Sequence, residues 1–534
     1  MTGATDPPRG DRSRATPEAA RRLFLGMLAG ALVYRLALAA VFPVLGDEAY
    51  LFTWAREPAW GYYDHPPLAA WLLQPFVAAG LGGSLLALRL PSVLLYPALA
   101  AALVALVRRL SPEAGPERAY LAGTLFLLVP VHVLGVLMLT DVPLIACTFL
   151  SAAALCLAER EGGRGGLGAY AAAGAFLGLA FLAKYFAALL AAAYLVWFLA
   201  APKSRRRTAG FALLAACALP FVLVHLAWNA GHCWSTVAFN FYSRHAGEGK
   251  NYNVGRNLLV YAGTLVYLAG PPLLWDLGRR WRRLAETFRA PGLSPAALAF
   301  LVPMALLLAS AAALLFGAYW MLPFVPFLFV LAPRVLERRE LVRSLRFLAV
   351  WTGLQALALA VVVALPLSAW REAPFYRSLV TMERTDEVLE ELAAAWPELR
   401  RGEVRLAARG YTLASLLSFE SGRHVVVFGE GSHYARQDDL WTDWRELAGR
   451  DVLLVAKRPV PPEELDRYFR AVERRELEVA GSTLYAALGR GLDYERYRRE
   501  VLAPVAERWY RRPDWLPVLG CPFCERHFGS PACF

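Results

Sequence analysis

Long apolar runs separated by short polar segments occupy most of this chain, from residue 22 to residue 368. About 20 consecutive apolar residues suffice for a helix to cross the hydrocarbon of a bilayer, where a helix satisfies its own backbone hydrogen bonds. Only 19% of the residues are charged and 57% are hydrophobic, whereas roughly a quarter of a soluble protein is charged. These runs predict a polytopic α-helical membrane protein.

The apolar runs divide into about eleven predicted spans of membrane-crossing length. They lie at 22–45, 84–107, 119–138, 141–158, 167–183, 185–201, 209–228, 257–277, 295–316, 318–335 and 345–368. Arginine-rich clusters precede the first span and follow the even-numbered spans. Cytoplasmic loops carry such an excess of basic residues. We therefore predict a cytoplasmic N-terminus, and an odd number of spans places the residues after 368 outside the cytoplasm.

This pattern predicts three parts of the chain. Residues 1–21, rich in proline and arginine, are predicted to be a disordered cytoplasmic N-terminus. Residues 22–368 form the membrane domain, with a first external loop at 46–83. Residues 369–534 alternate between short β-like runs and amphipathic segments, which predicts an extracytoplasmic α/β domain. The net charge is +12, and the basic residues lie in short clusters between the apolar runs. This distribution indicates the cytoplasmic loops of a membrane protein, so no nucleic-acid partner is predicted.

Polar residues collect where the odd-numbered predicted spans end, on the external side. They are Asp47 and Glu48 after the first span, Asp64 and His65 in the loop that follows, Asp141 after the third, Lys184 after the fifth and Tyr319 after the ninth. The opposite side holds mostly arginine. This one-sided arrangement predicts a site that faces outward at the depth of the lipid headgroups.

A carboxylate at that depth can act as a general base toward a hydroxyl or an amine. A lysine at the same depth can hold an anion such as the phosphate of a lipid carrier. The chain has no nucleotide-binding fingerprint. Together these features predict transfer of a group from a phosphate-activated lipid embedded in the membrane.

Six stretches of the chain resemble motifs of glycosyltransferase family 39, which contains the protein O-mannosyltransferases and the aminoarabinose transferase of lipid A. "GDEAYLFTWAREPAWGYYDHPPLAAWL" is similar to the family's first external loop, "TDVPL" to its second acidic motif and "GLAFLAKYFAALL" to its lysine motif. "WNAGHCWSTVAFNFYSRHAG" is similar to its Trp-Asn element. "RGYTLASLLSFESG", with "GSHYARQDDLW", resembles the external domain of bacterial members.

The resemblance implies the C-type glycosyltransferase fold, a polyprenyl-phosphate sugar donor and inversion at the anomeric carbon, in a bacterial inner (plasma) membrane. It implies that Asp47 is the catalytic carboxylate and Asp141 a second acidic residue of the site. From the chemistry above, we predict that Asp47 is the base and that Glu48, the third catalytic carboxylate, supports it or orients the loop. Lys184 is implied as a ligand of the lipid phosphate. The acceptor is extracytoplasmic: lipid A, a polysaccharide or a protein.

Four further residues complete the predicted site as substrate-binding residues: Asp64, His65, Arg244 and Tyr319. His65 departs from the aminoarabinose transferases, which carry a lysine before "PPL", so the donor sugar is not copied from that subgroup. No cofactor is predicted with certainty, and a divalent metal is left open.

Simpler roles exist for the same residues. Asp47 and Glu48 can cap a helix, and Asp141 in Thr-Asp-Val-Pro is a good helix start. Lys184 can extend from the end of a span toward water, and Tyr319 can be an interfacial aromatic. The alternative functions are a transporter or lipid-carrier flippase, which would carry charges near the midplane and repeat symmetry, and a receptor for a wall polymer.

The C-terminal "CPFCERHFGSPACF" holds Cys521, Cys524, His527 and Cys533. This spacing is compatible with a structural zinc site. Outside the cytoplasm, a Cys521–Cys524 disulfide competes with zinc for the same thiols. The sequence leaves both interpretations open.

Overall fold

The computed structural model describes residues 9–160, 166–242, 253–290, 292–313, 316–513, 515–530 and 533, with side chains from residue 17 onward. Helices dominate as far as residue 364. They are α1 (Arg9–Val41), α2 (Gly46–Arg56), α3 (Leu68–Ala78), α4 (Leu85–Leu110), α5 (Gly115–Leu127), α6 (Asp141–Arg160), α7 (Gly166–Ala183), α8 (Ala187–Ala200), α9 (Arg205–Ala230), α10 (Ser235–Phe241), α11 (Val254–Ala269), α12 (Pro271–Arg279), α13 (Trp281–Thr287), α14 (Ser294–Ala313), α15 (Val325–Val335) and α16 (Arg338–Ala364).

Seven helices in the described residues are long and apolar enough to cross a membrane: α1 from Pro17, α4, α6, α7, α9, α14 and α16. The pair α11–α12, bent by 95°, raises the number to eight if it is counted as one span. A multi-pass membrane protein is therefore confirmed by length and composition. The predicted number of eleven spans is not.

The remaining predicted spans correspond to shorter helices whose ends have local causes. Helix α5 ends at Leu127, three residues before Pro130, whose ring cannot continue a helix without losing a backbone hydrogen bond. Between α11 and α12, Gly270 adopts a left-handed φ of 78° directly before Pro271, so the apolar run turns there. Helices α8 and α15 have 14 and 11 residues. Apolar composition alone overestimated their length.

The chain packs into two compact units, and neither unit is continuous in sequence. The helical unit comprises Met1–Ala40, Arg89–Val222 and Tyr252–Val362. The mixed unit comprises Val41–Leu88, Leu223–Asn251 and Val363–Phe534. The first external loop thus belongs to the same compact unit as the C-terminal residues. The predicted domain boundaries stay a prediction.

The mixed unit contains a five-stranded sheet. Its further helices are α17 (Tyr376–Glu383), α18 (Thr385–Ala395), α19 (Glu398–Arg401), α20 (Tyr411–Ser421), α21 (Gln437–Trp441), α22 (Pro462–Leu465), α23 (Tyr494–Tyr497), α24 (Ala503–Trp509) and α25 (Pro522–Phe528). The strands are β1 (Arg405–Ala408), β2 (Val426–Val427), β3 (Val452–Ala456), β4 (Ala471–Val479) and β5 (Ser482–Arg490), in the spatial order β2-β1-β3-β5-β4. Strand β1 pairs parallel with β2 and β3, and β5 pairs antiparallel with β3 and β4.

Both faces of the central strand β3 are buried, as expected for a strand covered on two sides. Val452 and Leu454 point into one apolar cluster, which also contains Tyr63 of the first external loop. Leu453 and Val455 point into the other cluster, which contains side chains from α17, α18 and α20. The alternation follows from the two-residue period of a strand. The sheet is thus the platform on which the first external loop packs.

Candidate active site

Helix α2, which carries Asp47 and Glu48, is fixed at both ends to helix α20. At its start, a Cβ on Gly46 would lie 2.2 Å from the Cγ2 atom of Thr412, so only glycine permits this approach. At its end, the Arg56 guanidinium donates to the carbonyl oxygens of Ser418 (3.0 Å) and Phe419 (3.2 Å). The helix that presents the predicted carboxylates is therefore held by the α/β part of the mixed unit.

Asp47 and Glu48 are neighbours in sequence but differ in environment. Asp47 is exposed, and one of its carboxylate oxygens accepts a hydrogen bond of 2.9 Å from the Tyr411 hydroxyl. Glu48 is fully buried, and its carboxylate accepts the Leu45 backbone N–H at 3.3 Å, which caps the start of the helix. Asp47 is accessible to a reactant, and Glu48 is placed to orient the helix.

Asp64 is a buried carboxyl with several protein partners. It accepts hydrogen bonds from the Tyr50 hydroxyl (3.0 Å) and from the Ala435 backbone N–H (2.9 Å). The Tyr50 oxygen in turn accepts the backbone N–H of Gln437 at 3.0 Å. Asp64 therefore joins the first external loop to the segment before α21. Its predicted contact with substrate stays a prediction.

Burial also changes the acidity of Asp64. Loss of solvation raises the pKa of its carboxyl to about 6, and the Asp47 carboxylate contributes to the same shift. The hydrogen bonds from Tyr50 and Ala435 oppose it. Burial and the Asp47 carboxylate likewise raise the pKa of the Tyr411 phenol, which therefore stays a hydrogen-bond donor.

The Trp-Asn element supports the same loop from the other side. The Asn240 amide donates to the Asp64 carbonyl oxygen (3.0 Å), and the Thr236 hydroxyl donates to the Tyr62 carbonyl oxygen (2.7 Å). His65 is half-buried, with its ring centre 6.1 Å from that of Trp54. These contacts fix the path of the backbone through Asp64 and His65.

The helical unit holds the second group of predicted residues. Asp141 is the first residue of α6, and Lys184 follows α7. The Lys184 ammonium lies 3.1 and 3.0 Å from the two carboxylate oxygens of Asp141, and their side chains are 8% and 16% exposed. The ammonium also lies 4.8 Å from the centre of the Tyr319 ring, within the range of a cation–π contact. Asp141 and Tyr319, from two other parts of the sequence, thus both contact the positive charge of Lys184.

The structure therefore brings Asp141, Lys184 and Tyr319 together in the helical unit, and Asp47, Glu48, Asp64 and His65 together in the mixed unit. Arg244 lies outside the described residues. Within the described residues, the one group of three side chains close enough to share a metal ion consists of cysteines. A divalent metal at the carboxylates stays an untested prediction.

The cysteine predictions need correction. Cys521 pairs with Cys233, and Cys524 pairs with Cys533, with Cα–Cα distances of 4.4 and 5.0 Å. Both distances are ordinary for disulfides. The zinc interpretation and the Cys521–Cys524 disulfide are both wrong in this structure, because each sulfur is already bonded to another partner. His527 instead shares a hydrogen bond of 3.1 Å between its Nδ1 atom and the Tyr494 hydroxyl.

Four contact residues were not identified from the sequence: Tyr50, Tyr411, Asn240 and Gln437. Tyr50 and Tyr411 lie in motifs whose resemblance to the family was noted, yet nothing in those motifs indicates that a tyrosine bonds a carboxylate. The two tyrosine rings pack edge to face, 5.6 Å apart. The sequence showed that these residues lie within the motifs. It did not show which side chains they contact.

The overall architecture matches solved structures of ArnT from Cupriavidus metallidurans. The apo form gives a TM-score of 0.58 at 16% identity, covering 88% of this chain and 98% of ArnT. ArnT bound to undecaprenyl phosphate gives 0.60 at 16% identity, covering 87% and 97%. The fold is therefore the C-type glycosyltransferase fold, as predicted.

Sequence comparison points to the same group. Residues 64–228 match the family described as dolichyl-phosphate-mannose-protein mannosyltransferase. The chain is also 28% identical over 243 residues to lipid A galacturonosyltransferase RgtD of Rhizobium johnstonii, covering 44% of this chain and 49% of RgtD. In that match the chain spans about half the length of its curated relative. The predicted resemblance to glycosyltransferase family 39 is confirmed. The family match includes Asp141 and Lys184 but begins after Asp47.

Proposed function

We propose that this protein is an integral membrane glycosyltransferase that moves a sugar from a polyprenyl-phosphate donor to an extracytoplasmic acceptor, with inversion and with Asp47 as the base. One observation carries the proposal: Asp47 is an exposed carboxylate on an anchored helix, held on one side by the Tyr411 hydroxyl. Such a group is positioned in advance and can still receive a proton from an acceptor hydroxyl.

The chemistry divides between the two groups of residues. The base removes the proton of the acceptor as its oxygen attacks the anomeric carbon, and the bond from that carbon to the lipid phosphate breaks. Negative charge then grows on the departing phosphate. Lys184 is the residue proposed to stabilise that charge, while Asp141 holds the ammonium in place when no phosphate is bound.

Three comparisons support this class of donor and acceptor. The matched family is named for a dolichyl-phosphate sugar donor. ArnT, which has the same fold, has been solved with undecaprenyl phosphate. RgtD is named for transfer of galacturonic acid to lipid A. The proposal for this chain keeps the shared element, a polyprenyl-phosphate sugar, and leaves lipid A, a polysaccharide or a protein as candidate acceptors.

The proposed location is a bacterial inner (plasma) membrane, with the N-terminus cytoplasmic and residues 369–534 outside. The distribution of basic clusters supports this orientation. The two disulfides support it as well, because disulfides persist in oxidising compartments outside the cytoplasm. A reporter fused after Phe534 is expected to be active only outside the cytoplasm. Cytoplasmic activity of that fusion would contradict the orientation.

The direct test uses the full chain reconstituted in liposomes. Radiolabelled polyprenyl-phosphate hexoses and pentoses are supplied with lipid A, a polysaccharide fraction or a protein fraction as acceptor. We expect the label to move covalently to one acceptor class, with NMR of the product showing inverted anomeric configuration. Movement of intact donor across the bilayer without transfer would instead identify a flippase. If the label is neither transferred to an acceptor nor moved across the bilayer, the result would favour a receptor.

A further inference from the structure

A cavity of about 680 Å³ lies in the mixed unit, at the edge of the sheet where the parallel strands begin. Arg405 is the first residue of β1, Val425 directly precedes β2, and Arg450 lies two residues before β3. All three line the cavity. Its volume is in the range that encloses a small ligand. Asp47 does not line it, and the proposed transfer chemistry does not use it.

The lining of this cavity carries an excess of positive charge. Five arginines contribute to it, against three carboxylates: Arg400, Arg405, Arg423, Arg450 and Arg526 against Glu403, Asp443 and Glu446. Two of the carboxylates are already paired with arginines that do not line the cavity, Glu403 with Arg401 (2.8 Å) and Asp443 with Arg445 (2.6 Å). Asp443 also lies 3.9 Å from the lining Arg526, which leaves four arginines against Glu446. The net field inside is therefore positive, which favours an anion.

Within the described residues, four of the lining arginines form no ion pair with a carboxylate: Arg400, Arg405, Arg423 and Arg450. Most other arginines of the mixed unit are paired. An anion in the cavity would offset the mutual repulsion of these guanidinium groups.

The cavity also has surfaces suited to a sugar ring. The half-buried Trp441 indole lies perpendicular to the His424 ring, with ring centres 5.7 Å apart. The flat apolar face of an indole suits the C–H face of a sugar, and its edge can donate a hydrogen bond. The exposed Glu446 carboxylate can accept hydrogen bonds from sugar hydroxyls. Inorganic phosphate alone would not contact the Trp441 ring.

The cavity adjoins the residues that hold the candidate carboxylates. His424, Val425 and Trp441 also line a second, small cavity, together with Tyr50 and Tyr411. These two tyrosines bond Asp64 and Asp47 respectively. One layer of side chains therefore separates the basic cavity from the tyrosines of the proposed site, within the same compact unit.

We infer that the basic cavity binds a phosphorylated saccharide and holds the anionic sugar headgroup of the acceptor next to the proposed site. The binding of this headgroup stands on the cavity itself, and its role as acceptor rests on the proposed function. The guanidinium groups contact the phosphate, for which their planar donors are well matched, and Trp441 contacts the sugar ring.

The test measures binding to the full chain in nanodiscs of zwitterionic lipid, by calorimetry and without donor. Glucose 6-phosphate, glucose and inorganic phosphate are the probes. We expect glucose 6-phosphate to bind most tightly. Arg423→Ala and Arg450→Ala should each weaken it roughly tenfold, the share of one hydrogen bond to a charged group. Arg423→Lys should recover part of the loss. Trp441→Ala should weaken glucose 6-phosphate and leave inorganic phosphate unchanged.

Arg474→Ala is the matched control, an exposed arginine on β4 of the same sheet that is paired with Asp466, and it should bind like the wild type. Equal affinity for glucose and glucose 6-phosphate would overturn the inference, as would unchanged binding in both arginine variants. Repeating the titration with phosphatidylglycerol in the nanodisc separates the sources of the anion: competition would show that lipid headgroups reach the cavity and would overturn the saccharide assignment. Failure of sugar transfer leaves this binding result unaffected.

Discussion

Asp47 and Asp141 are both aspartates in the first turn of a helix, yet the two units use them differently. Asp47 is exposed and has a neutral partner, the Tyr411 hydroxyl. Asp141 is mostly buried and has a charged partner, the Lys184 ammonium, at 3.0 Å. Asp47 is therefore accessible to a reactant, whereas both carboxylate oxygens of Asp141 contact the ammonium.

The difference indicates how the two groups share the proposed reaction. The carboxylate in the mixed unit suits the role of base. The ion pair in the helical unit suits the binding of an anion. A phosphate can replace the carboxylate as the partner of the ammonium, or both anions can contact the ammonium together. Residue type alone does not separate these roles, since both positions are Asp.

The largest expected effect comes from Asp47→Asn. This change keeps the size of the side chain but removes its affinity for a proton, so turnover should fall about 10²–10⁴-fold, the usual share of a general base. Donor binding should persist. Glu57→Gln, an exposed carboxylate just after the same helix, is the control and should turn over normally. If Asp47→Asn turns over almost normally while Asp141→Asn is inactive, the base lies in the helical unit and the proposal for Asp47 is wrong.

Asp64→Asn should change stability as a function of pH. Burial raises the pKa of Asp64 in the folded protein to about 6, above the ordinary value of about 3.9 for the unfolded chain. Its stabilising contribution is complete below about pH 4 and is lost as the pH rises through 6, a change of about 3 kcal/mol. Thermal unfolding between pH 4 and pH 7 should show this loss in the wild type and not in Asp64→Asn.

Asp443→Asn is the control for that measurement. Its hydrogen bond from Arg445 lowers the pKa of Asp443, so its contribution is present at neutral pH and is lost on acidification. Its contribution changes only below about pH 4, so Asp443→Asn should keep the wild-type loss of stability between pH 4 and pH 7. Identical profiles for the wild type and Asp64→Asn would mean that the Asp64 carboxyl is not desolvated as the structure indicates.

Lys184→Ala should weaken binding of undecaprenyl phosphate about tenfold to a hundredfold, the value of a hydrogen bond to a charged group. Lys184→Arg should be partly tolerated, since a planar fork replaces a point charge. Lys203→Ala, an exposed lysine whose ammonium contacts the Phe198 carbonyl oxygen, should bind normally. If folded Lys184→Ala binds undecaprenyl phosphate like the wild type, the Asp141–Lys184 pair is structural and the contrast between the units loses its functional meaning.

The smallest expected effect is that of Tyr411→Phe. Loss of one hydrogen bond to Asp47 should lower kcat about two- to tenfold and leave donor affinity unchanged, because Tyr411 positions the carboxylate. Tyr376→Phe, which removes a hydroxyl bonded to the Ala480 carbonyl oxygen at 2.6 Å, should leave kcat unchanged. A change in KM instead of kcat would mean that Tyr411 contacts a substrate directly.

The sequence was informative where a property follows from local composition. The long spans α4, α6 and α14 lie close to their predicted positions, because apolar runs of sufficient length have no other stable arrangement in a bilayer. It was less informative where a run contains proline or glycine. Pro130 follows the end of α5, and Gly270 lies at the turn between α11 and α12. Mean hydropathy over the whole run does not detect either residue.

By itself, the sequence determined the fold class and the residues that carry charge at the ends of the spans, since burying a charge in lipid is costly wherever it occurs. Only the tertiary structure decided the partners: Tyr411 for Asp47, Lys184 for Asp141, and Cys233 for Cys521. These pairs are separated by 364, 43 and 288 positions. No local pattern encodes such distances, because a long-range contact depends on how all the intervening elements pack.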